Sequence, residues 1–236
     1  MRVLAPNLGS TSLKYQLLEM PAERVLARGK VERVRDYREA LGRVVAELAP
    51  LGVEAIGLKA VHAGPRFRGS FVVTDEVLEA LREFAPAAPL HNPIYISAIE
   101  ALRELAPGTP LVAVLETGFH RTMPDCATSY GVPRRWREEL GVQRYGFHGA
   151  SHRFVSGRVP ELLGRAAPRL VSCHLGGSSS ICAIREGVSV DTTMGFSPQS
   201  GLENATRHGD LDPFAVLFVM DRLGRSTAQI REELLE

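Results

Sequence analysis

Two short turns rich in glycine and hydroxyl residues, each lying between apolar segments, restrict the fold of this chain more than any other feature. The first turn, GSTSL, occupies residues 9–13, and the second, GSSSI, occupies residues 177–181. The apolar segments on both sides predict a strand–turn–strand unit at each place. A repeated unit of this kind predicts two related domains facing a common cleft. Coincidence is the alternative, because glycine and serine occur in turns of every kind.

The composition of these turns is typical of phosphate binding. Backbone N–H groups in a tight turn bind phosphate when no side chain blocks the approach, and glycine removes that obstruction. In the first turn, the hydroxyls of Ser10 and Ser12 add donors and Lys14 adds a positive charge. The Walker-A pattern is absent and a strand follows the turn, so phosphate capture by a helix dipole is not expected.

The remaining segments predict an α/β fold, because strand-like and helix-like patterns alternate along the chain. We place a first domain at residues 1–150 and a second at residues 151–236. Apolar runs predict strands, and apolar residues at helical spacing predict helices. The predicted strands lie at 1–6, 12–19, 54–62, 110–116 and within 169–191, and the predicted helices at 35–49, 74–86, 93–105, 151–164 and 226–236.

Composition excludes several classes of function. The chain has 28 basic and 27 acidic residues, a balance that argues against nucleic acid or a membrane surface as the main partner. No apolar run approaches the roughly 20 residues that a membrane helix needs. The three cysteines form no CxxC pair, so we expect neither a disulfide framework nor a zinc site. The opening residues do not resemble a signal peptide, and we expect a cytoplasmic protein.

Eight motifs together give the chain a specific resemblance. They are, in order, NLGSTSLKYQL, VHAGPRF, PLHNP, FHRTMP, YGFHGASH, CHLGG, VDTTMGFSP and GDLDP. With these motifs the chain resembles the acetate kinase family of the actin-like ATPase superfamily. The resemblance implies two RNase-H-like domains with ATP and Mg²⁺ in the cleft. It also implies reversible phosphoryl transfer from ATP to acetate or another short-chain carboxylate, giving acetyl phosphate and ADP, and a homodimer when the protein is full length.

The resemblance also implies roles for individual residues. Asn7 matches the family's metal-associated asparagine, and three residues match its catalytic groups, namely Glu116, His148 and Arg207. The two phosphate turns are implied to bind the nucleotide through Ser10, Ser12, Lys14, His174, Leu175, Gly176, Gly177 and Ser178. The acyl substrate is implied to bind at Lys59, Val61, Leu90, Phe147 and Pro198. The other histidines of the motifs, His62, His120 and His152, are interpreted as structural or exposed.

Three positions depart from the family pattern. Glu116 stands where the family has aspartate, Lys59 where it has arginine, and Gly177 where it has asparagine. Lysine cannot offer the planar two-pronged grip that arginine gives a carboxylate. The family's adenine-binding segment lies beyond residue 236, so we expect the second domain to be incomplete. A catalytically impaired remnant that binds phosphate or nucleotide is therefore the alternative function, and a sugar kinase or heat-shock-type ATPase of the same superfamily is a third.

Overall fold

The computed structural model describes residues 1–9, 11–205 and 207–235. The chain divides into two compact units, unit 1 (Met1–Gly118) and unit 2 (Phe119–Glu236). The units are defined by compactness, whereas the predicted domain boundary after residue 150 was based on the internal repeat. That boundary therefore stays a prediction. No helix in the described ranges is long and apolar enough to cross a membrane.

Unit 1 is built on a six-stranded sheet with the strand order β3-β2-β1-β4-β6-β5. Strand β1 pairs antiparallel with β2 and parallel with β4, and β4 pairs parallel with β6. Along β2, Leu13, Tyr15 and Leu17 are buried while Lys14 and Gln16 are exposed, the alternation of a strand with one covered face. The strands are β1 (Arg2–Leu8), β2 (Ser12–Glu19), β3 (Arg24–Glu32), β4 (Ala55–Ala60), β5 (Ser70–Val72) and β6 (Leu111–Leu115).

The described part of unit 1 contains three α-helices, and side-chain caps begin two of them. Asp36 caps α1 by accepting from the backbone N–H of Arg38 at 2.7 Å, and Thr74 caps α2. Connections through α2 and α3 let β4 and β6 run parallel, since parallel neighbours require a long crossover. The helices are α1 (Tyr37–Leu48), α2 (Asp75–Glu83) and α3 (Asn92–Leu105), and fully buried core side chains include Leu4, Leu17, Leu41, Ile56, Leu58 and Leu102.

Unit 2 repeats the opening of unit 1. Its three strands form an antiparallel sheet in the order β7-β8-β9, as β1, β2 and β3 do in unit 1, and each glycine and hydroxyl turn joins the first strand to the second. The predicted repeat is therefore present in the topology. The strands are β7 (Arg169–His174), β8 (Ser180–Arg185) and β9 (Val188–Thr192), and the helices are α4 (Asp125–Thr128), α5 (Arg134–Leu140), α6 (Gly149–Leu163), α7 (Pro213–Leu223) and α8 (Thr227–Glu233).

The sequence analysis predicted most of these elements and missed five, namely β3, β5, α4, α5 and α7. Helices α4 and α5 are short, with four and seven residues. Strand β3 was missed because none of its residues is buried and charged residues interrupt its apolar ones. Strand β5 has only three residues and lies at the sheet edge, so it carries too short a pattern. Helix α7 has an almost continuous apolar sequence, PFAVLFVMDRL, without the polar face that would have indicated an amphipathic helix.

One buried amide ties α3 to the end of β4. Asn92, which is fully buried, donates from Nδ2 to the carbonyl oxygens of His62 and Leu81, both at 2.7 Å. Its Oδ1 accepts from the backbone N–H of His62 at 3.2 Å. The side chain therefore satisfies three backbone groups that have been withdrawn from water.

We predict that Asn92→Ala destabilises the protein by at least about 2 kcal/mol, because buried backbone groups then lose their hydrogen-bond partners. Chemical denaturation measures the effect. Ser97→Ala is the matched control on the same helix, since Ser97 is exposed, and it should change stability by less than about 0.5 kcal/mol. Equal stability of the two variants would contradict the structural role of Asn92.

Candidate functional site

The predicted substrate and catalytic residues of unit 1 meet at the carboxyl ends of two parallel strands. Lys59 is the penultimate residue of β4, and Glu116 directly follows β6. The register pairs Ala60 with Leu115, and the Glu116 N–H donates to the Ala60 carbonyl at 2.9 Å. As a result, Lys59 Nζ lies 3.5 Å from Glu116 Oε1. Two of the three departures from the family pattern are thus partners in one ion pair.

The environment of this pair sets the protonation of Lys59. Burial alone would lower the pKa of Lys59, but the carboxylate of Glu116 and the nearby Tyr95 outweigh it, so the pKa is raised. The Lys59 ammonium lies 5.9 Å from the centroid of the Tyr95 ring. Tyr95 is buried and donates from its hydroxyl to the Leu8 carbonyl at 3.3 Å, and burial raises its pKa too. Lys59 is therefore a firmly charged ammonium with 38% of its side chain exposed.

Glu116 keeps one oxygen available for a further partner. Its side chain is 8% exposed, and its Oε2 is buried and has no hydrogen-bond partner in the described part of the chain. A buried carboxylate oxygen without a partner is costly, so a water, a substrate group or a cation is expected to complete it. Carboxylate oxygen is the ligand type that Mg²⁺ prefers, and Glu116 fits that group.

The first turn and its flanking strands form a cationic face. Asn7, Lys14 and Lys30 lie in one row across β1, β2 and β3, and Arg28 lies on the neighbouring row. Together with other residues of these strands they line a cavity of about 590 Å³. Such a face suits an anion such as a phosphate chain. It does not suit a metal ion held by Asn7 alone, so the metal role of Asn7 stays a prediction.

The other unit 1 residues of the predicted site have mixed surroundings. Ser12 begins β2, and its carbonyl accepts from the Gly9 N–H at 2.8 Å, which closes the first turn. Ser10 lies outside the described residues. Val61 is buried and Leu90 is 42% exposed, and the Asn92–His62 hydrogen bonds hold their two segments together. The assignment of Val61 and Leu90 to an acyl pocket stays a prediction.

The central residue of the site in unit 2 is His148, which precedes α6 in a strained backbone conformation. Its φ of 57° is left-handed, a region that a residue with a side chain seldom occupies. Two residues earlier, Gly146 also has a positive φ, and a Cβ there would lie 2.5 Å from the Thr192 side chain and 2.7 Å from His120. Backbone strain of this kind is found where the surrounding structure holds a functional group in place.

The ring of His148 joins two serines. Its Nε2 lies 3.1 Å from the Oγ of Ser178 in the second turn, and its Nδ1 lies 2.8 Å from the Oγ of Ser180 on β8. Arg207 donates from Nη1 to the same Ser178 hydroxyl and to the Pro198 carbonyl at 3.2 Å. Four residues named from the sequence, His148, Ser178, Pro198 and Arg207, are therefore brought together.

The second turn places its members differently. His174 stacks on His148, with ring centroids 4.0 Å apart, and its Nδ1 lies 2.9 Å from the Ser151 hydroxyl. Leu175 is largely exposed, and the Gly176 N–H donates to Ser179 Oγ at 3.4 Å. A Cβ at Gly177 would meet no atom within 4 Å, so packing does not require glycine there. The phosphate-binding roles of these residues stay predictions.

Two histidines that the sequence analysis interpreted as structural or exposed are fully buried members of this network. His152 Nε2 lies 2.9 Å from Ser180 Oγ, and its Nδ1 lies 2.9 Å from Ser172 Oγ. His120 Nε2 donates to the Phe147 carbonyl at 2.9 Å. The spacing of His148 and His152, four residues apart at the start of one helix, was the signal available in the sequence.

The Phe147 side chain is buried. Its contact with the acyl group stays a prediction.

The histidines also do not make a metal centre. Within the described ranges, no group of three or more His, Cys, Asp or Glu side chains is placed to hold a metal ion. Asp191, Asp210 and Asp212 accept backbone N–H groups, and Asp212 caps α7.

We predict that Glu116→Gln lowers the pKa of Lys59, because the burial that lowers it persists while the opposing carboxylate is gone. The chain contains three lysines, Lys14, Lys30 and Lys59, so NMR titration of ¹³C-methylated lysines resolves each. Glu116→Asp keeps the charge and is the matched control. An unchanged Lys59 titration in Glu116→Gln would contradict the ion pair.

We predict that His152 makes stability depend on pH. Burial, with His120 and His174 nearby, lowers the pKa of His152 to about 4. The unfolded chain, with an ordinary His pKa of about 6.5, then binds more protons than the folded one between these values. The free energy of unfolding therefore keeps its full value above about pH 6.5. It decreases by on the order of 3 kcal/mol as the pH falls towards 4.

The single tryptophan, Trp136, lies in unit 2 and reports its unfolding by fluorescence in urea. His152→Gln has no proton to exchange and is the comparison variant. Its stability should vary less steeply between pH 4 and 6.5 than that of the parent. Parallel pH profiles for the two proteins would show that His152 does not carry the effect.

Comparison with known proteins bears on these residues. A protein-family model described as "Acetokinase family" matches residues 34–236. The acetate kinase of Carboxydothermus hydrogenoformans is 42% identical over 268 aligned residues, which cover 99% of this chain and 67% of that protein. A propionate kinase of Citrobacter rodentium is 40% identical and is covered to 66% of its length. The chain thus spans about two thirds of the length of these curated relatives.

Solved structures agree with the sequence relatives. A propionate kinase from Francisella tularensis aligns with a TM-score of 0.90 at 31% identity, over 100% of this chain and 68% of that one. The acetate kinase of Porphyromonas gingivalis aligns with a TM-score of 0.83 at 35% identity, over 100% of this chain and 67% of that one. These similarities confirm the predicted α/β fold with duplicated RNase-H-like domains.

Proposed function

Because this chain belongs to the acetokinase family, we propose that it transfers a phosphoryl group reversibly from ATP to acetate or another short-chain carboxylate, giving the acyl phosphate and ADP. The observation that carries the proposal is the convergence of Arg207 and His148 on one hydroxyl of the second turn, that of Ser178. A guanidinium and a ring nitrogen that converge on one oxygen suit the site of a transferring phosphoryl group.

Positioning and charge account for the catalysis that we assign to these groups. In phosphoryl transfer the protein does little covalent chemistry and mainly stabilises charge on the transferring group. Arg207 supplies a fixed positive charge, and His148 supplies a ring nitrogen whose orientation the Ser180 hydroxyl holds. In unit 1, Lys14, Arg28 and Lys30 offer a cationic face that suits a phosphate chain.

We propose that Lys59 binds the carboxylate of the acceptor substrate. The Lys59 ammonium has three N–H donors, and Glu116 contacts it from one side. Lys59 can therefore also donate to the carboxylate of an acceptor substrate. Charge-assisted hydrogen bonds of this kind fix the orientation of a small anion. The contacts would be those of a point charge and not the two parallel bonds that an arginine forms.

Mg²⁺ belongs to the proposal as part of the nucleotide complex. When bound, it neutralises charge on the ATP phosphates, and the free oxygen of Glu116 is the protein group that fits it. A homodimeric assembly, a cytoplasmic location and the use of ATP as the donor are further parts of the proposal, which rest on the family resemblance.

The proposal is tested by acyl phosphate formation from Mg-ATP and acetate or propionate, with the product trapped as its hydroxamate. We predict that Arg207→Ala lowers turnover by up to about 10³-fold, because arginines on a transferring phosphoryl group act mainly in the transition state. Its effect on ATP affinity should be much smaller. Arg158→Ala is the matched control, since Arg158 is an exposed partner of Glu161 on α6.

Two outcomes would contradict this assignment. Equal turnover of Arg207→Ala and the parent would remove Arg207 from the reaction. A parent chain that binds Mg-ATP but forms no acyl phosphate with either acid would support the alternative function, a remnant that binds nucleotide without transfer.

A further inference from the structure

We infer that Ser178 is itself a phosphoryl acceptor: the hydroxyl is activated by His148 and becomes phosphorylated by ATP. The inference rests on the proposed function for the presence of ATP at the second turn. Ser178 would then be a second phosphoryl acceptor, within the protein itself, besides the carboxylate of the substrate. The position of Ser178 between a candidate base and a cation carries the inference.

The side chains around Ser178 have the arrangement of an activated nucleophile. A nucleophilic hydroxyl requires a base within hydrogen-bond reach, and the base requires a third group that orients it. Here Ser178 Oγ lies 3.1 Å from His148 Nε2, and His148 Nδ1 lies 2.8 Å from Ser180 Oγ. Ser178 is partly accessible, whereas Ser180 is fully buried. One chain of hydrogen bonds thus contains the nucleophile, the base and the group that orients the base.

The hydrogen-bond chain can hold His148 in the form that accepts a proton. If His148 Nδ1–H donates to Ser180 Oγ, its Nε2 is unprotonated and faces Ser178. Ser180 then donates its own proton to His152 Nε2, and His152 Nδ1–H donates to Ser172 Oγ, each at 2.9 Å. In this assignment every bond of the chain has one donor and one acceptor.

A neutral His152 is compatible with this arrangement. Its ring is fully buried between Ser172 and Ser180, and its pKa is lowered to about 4. A neutral His152 that donates to Ser172 must accept at Nε2, which directs the Ser180 proton away from His148. Within unit 2, His120, His148 and His174 are the titratable rings near it.

Arg207 completes the activation from the other side of the hydroxyl. Its Nη1 donates to Ser178 Oγ, so the oxygen accepts from a cation while it donates its proton to His148. A cation that donates to a hydroxyl oxygen stabilises the alkoxide that forms as the proton leaves. The same guanidinium is suitably placed to neutralise charge on the incoming phosphoryl group.

The step balances without a further reactant. A bond forms between Ser178 Oγ and the γ-phosphorus of ATP as the bond from that phosphorus to the β–γ bridging oxygen breaks. The bridging oxygen keeps the electron pair and leaves as part of ADP, and the serine proton passes to His148 Nε2. The product is phosphoserine, whose negative charge would lie beside Arg207.

The test incubates the full chain with Mg-ATP and maps phosphate by mass spectrometry of proteolytic peptides. We expect phosphate on Ser178 in the parent and none in the second turn of Ser178→Ala. Ser179→Ala is the matched control at the adjacent serine and should keep the phosphate. His148→Asn, which tolerates the left-handed backbone, should slow phosphorylation by about 10²- to 10⁴-fold, the usual contribution of a general base.

Parallel hydroxamate assays separate this inference from the proposed function. Acyl phosphate without phosphoserine overturns the inference and leaves the proposed function intact. Phosphoserine at residue 178 without acyl phosphate supports the inference and contradicts the proposed carboxylate acceptor. An unphosphorylated Ser178 in the parent overturns the inference in every case, so the result does not depend on whether a variant folds.

Discussion

The hydroxyl of Ser180 is the contact on which the arrangement of unit 2 depends. It lies within 2.9 Å of ring nitrogens of both His148 and His152, which are one turn apart on the same helix end. The antiparallel pairing of β7 with β8 places Ser180 opposite His174, whose ring stacks on His148. A single buried hydroxyl therefore joins helix α6 to the sheet and sets the orientation of the candidate catalytic ring.

Unit 1 reaches its candidate site by a different route. Two parallel strands end side by side, so Lys59 and Glu116 meet although the residues are far apart in sequence. The two positions, which the resemblance marks as departures from the family pattern, thus form a contact of 3.5 Å between opposite charges.

The two units show how one local motif can support different chemistry. Both contain a strand, a glycine and hydroxyl turn and a second strand. In unit 1 the turn leads to an exposed row of cations that includes Lys14, which suits an extended anion. In unit 2 the corresponding strand carries Ser180 into a buried histidine network, which suits orientation and proton transfer. Burial, and not the motif, makes this difference.

The sequence alone determined the α/β class and the repeated turns, because periodicity and turn chemistry are local properties. The family resemblance implied the separate roles of His148, Ser178 and Arg207. Only the tertiary structure decided the partners of buried polar groups. His152 was interpreted as structural or exposed, and the structure shows that it shares the Ser180 hydroxyl with His148. The Lys59–Glu116 pair was likewise invisible, because its distance depends on strand register. Hydrogen bonds between distant segments follow from packing, which one-dimensional patterns do not specify.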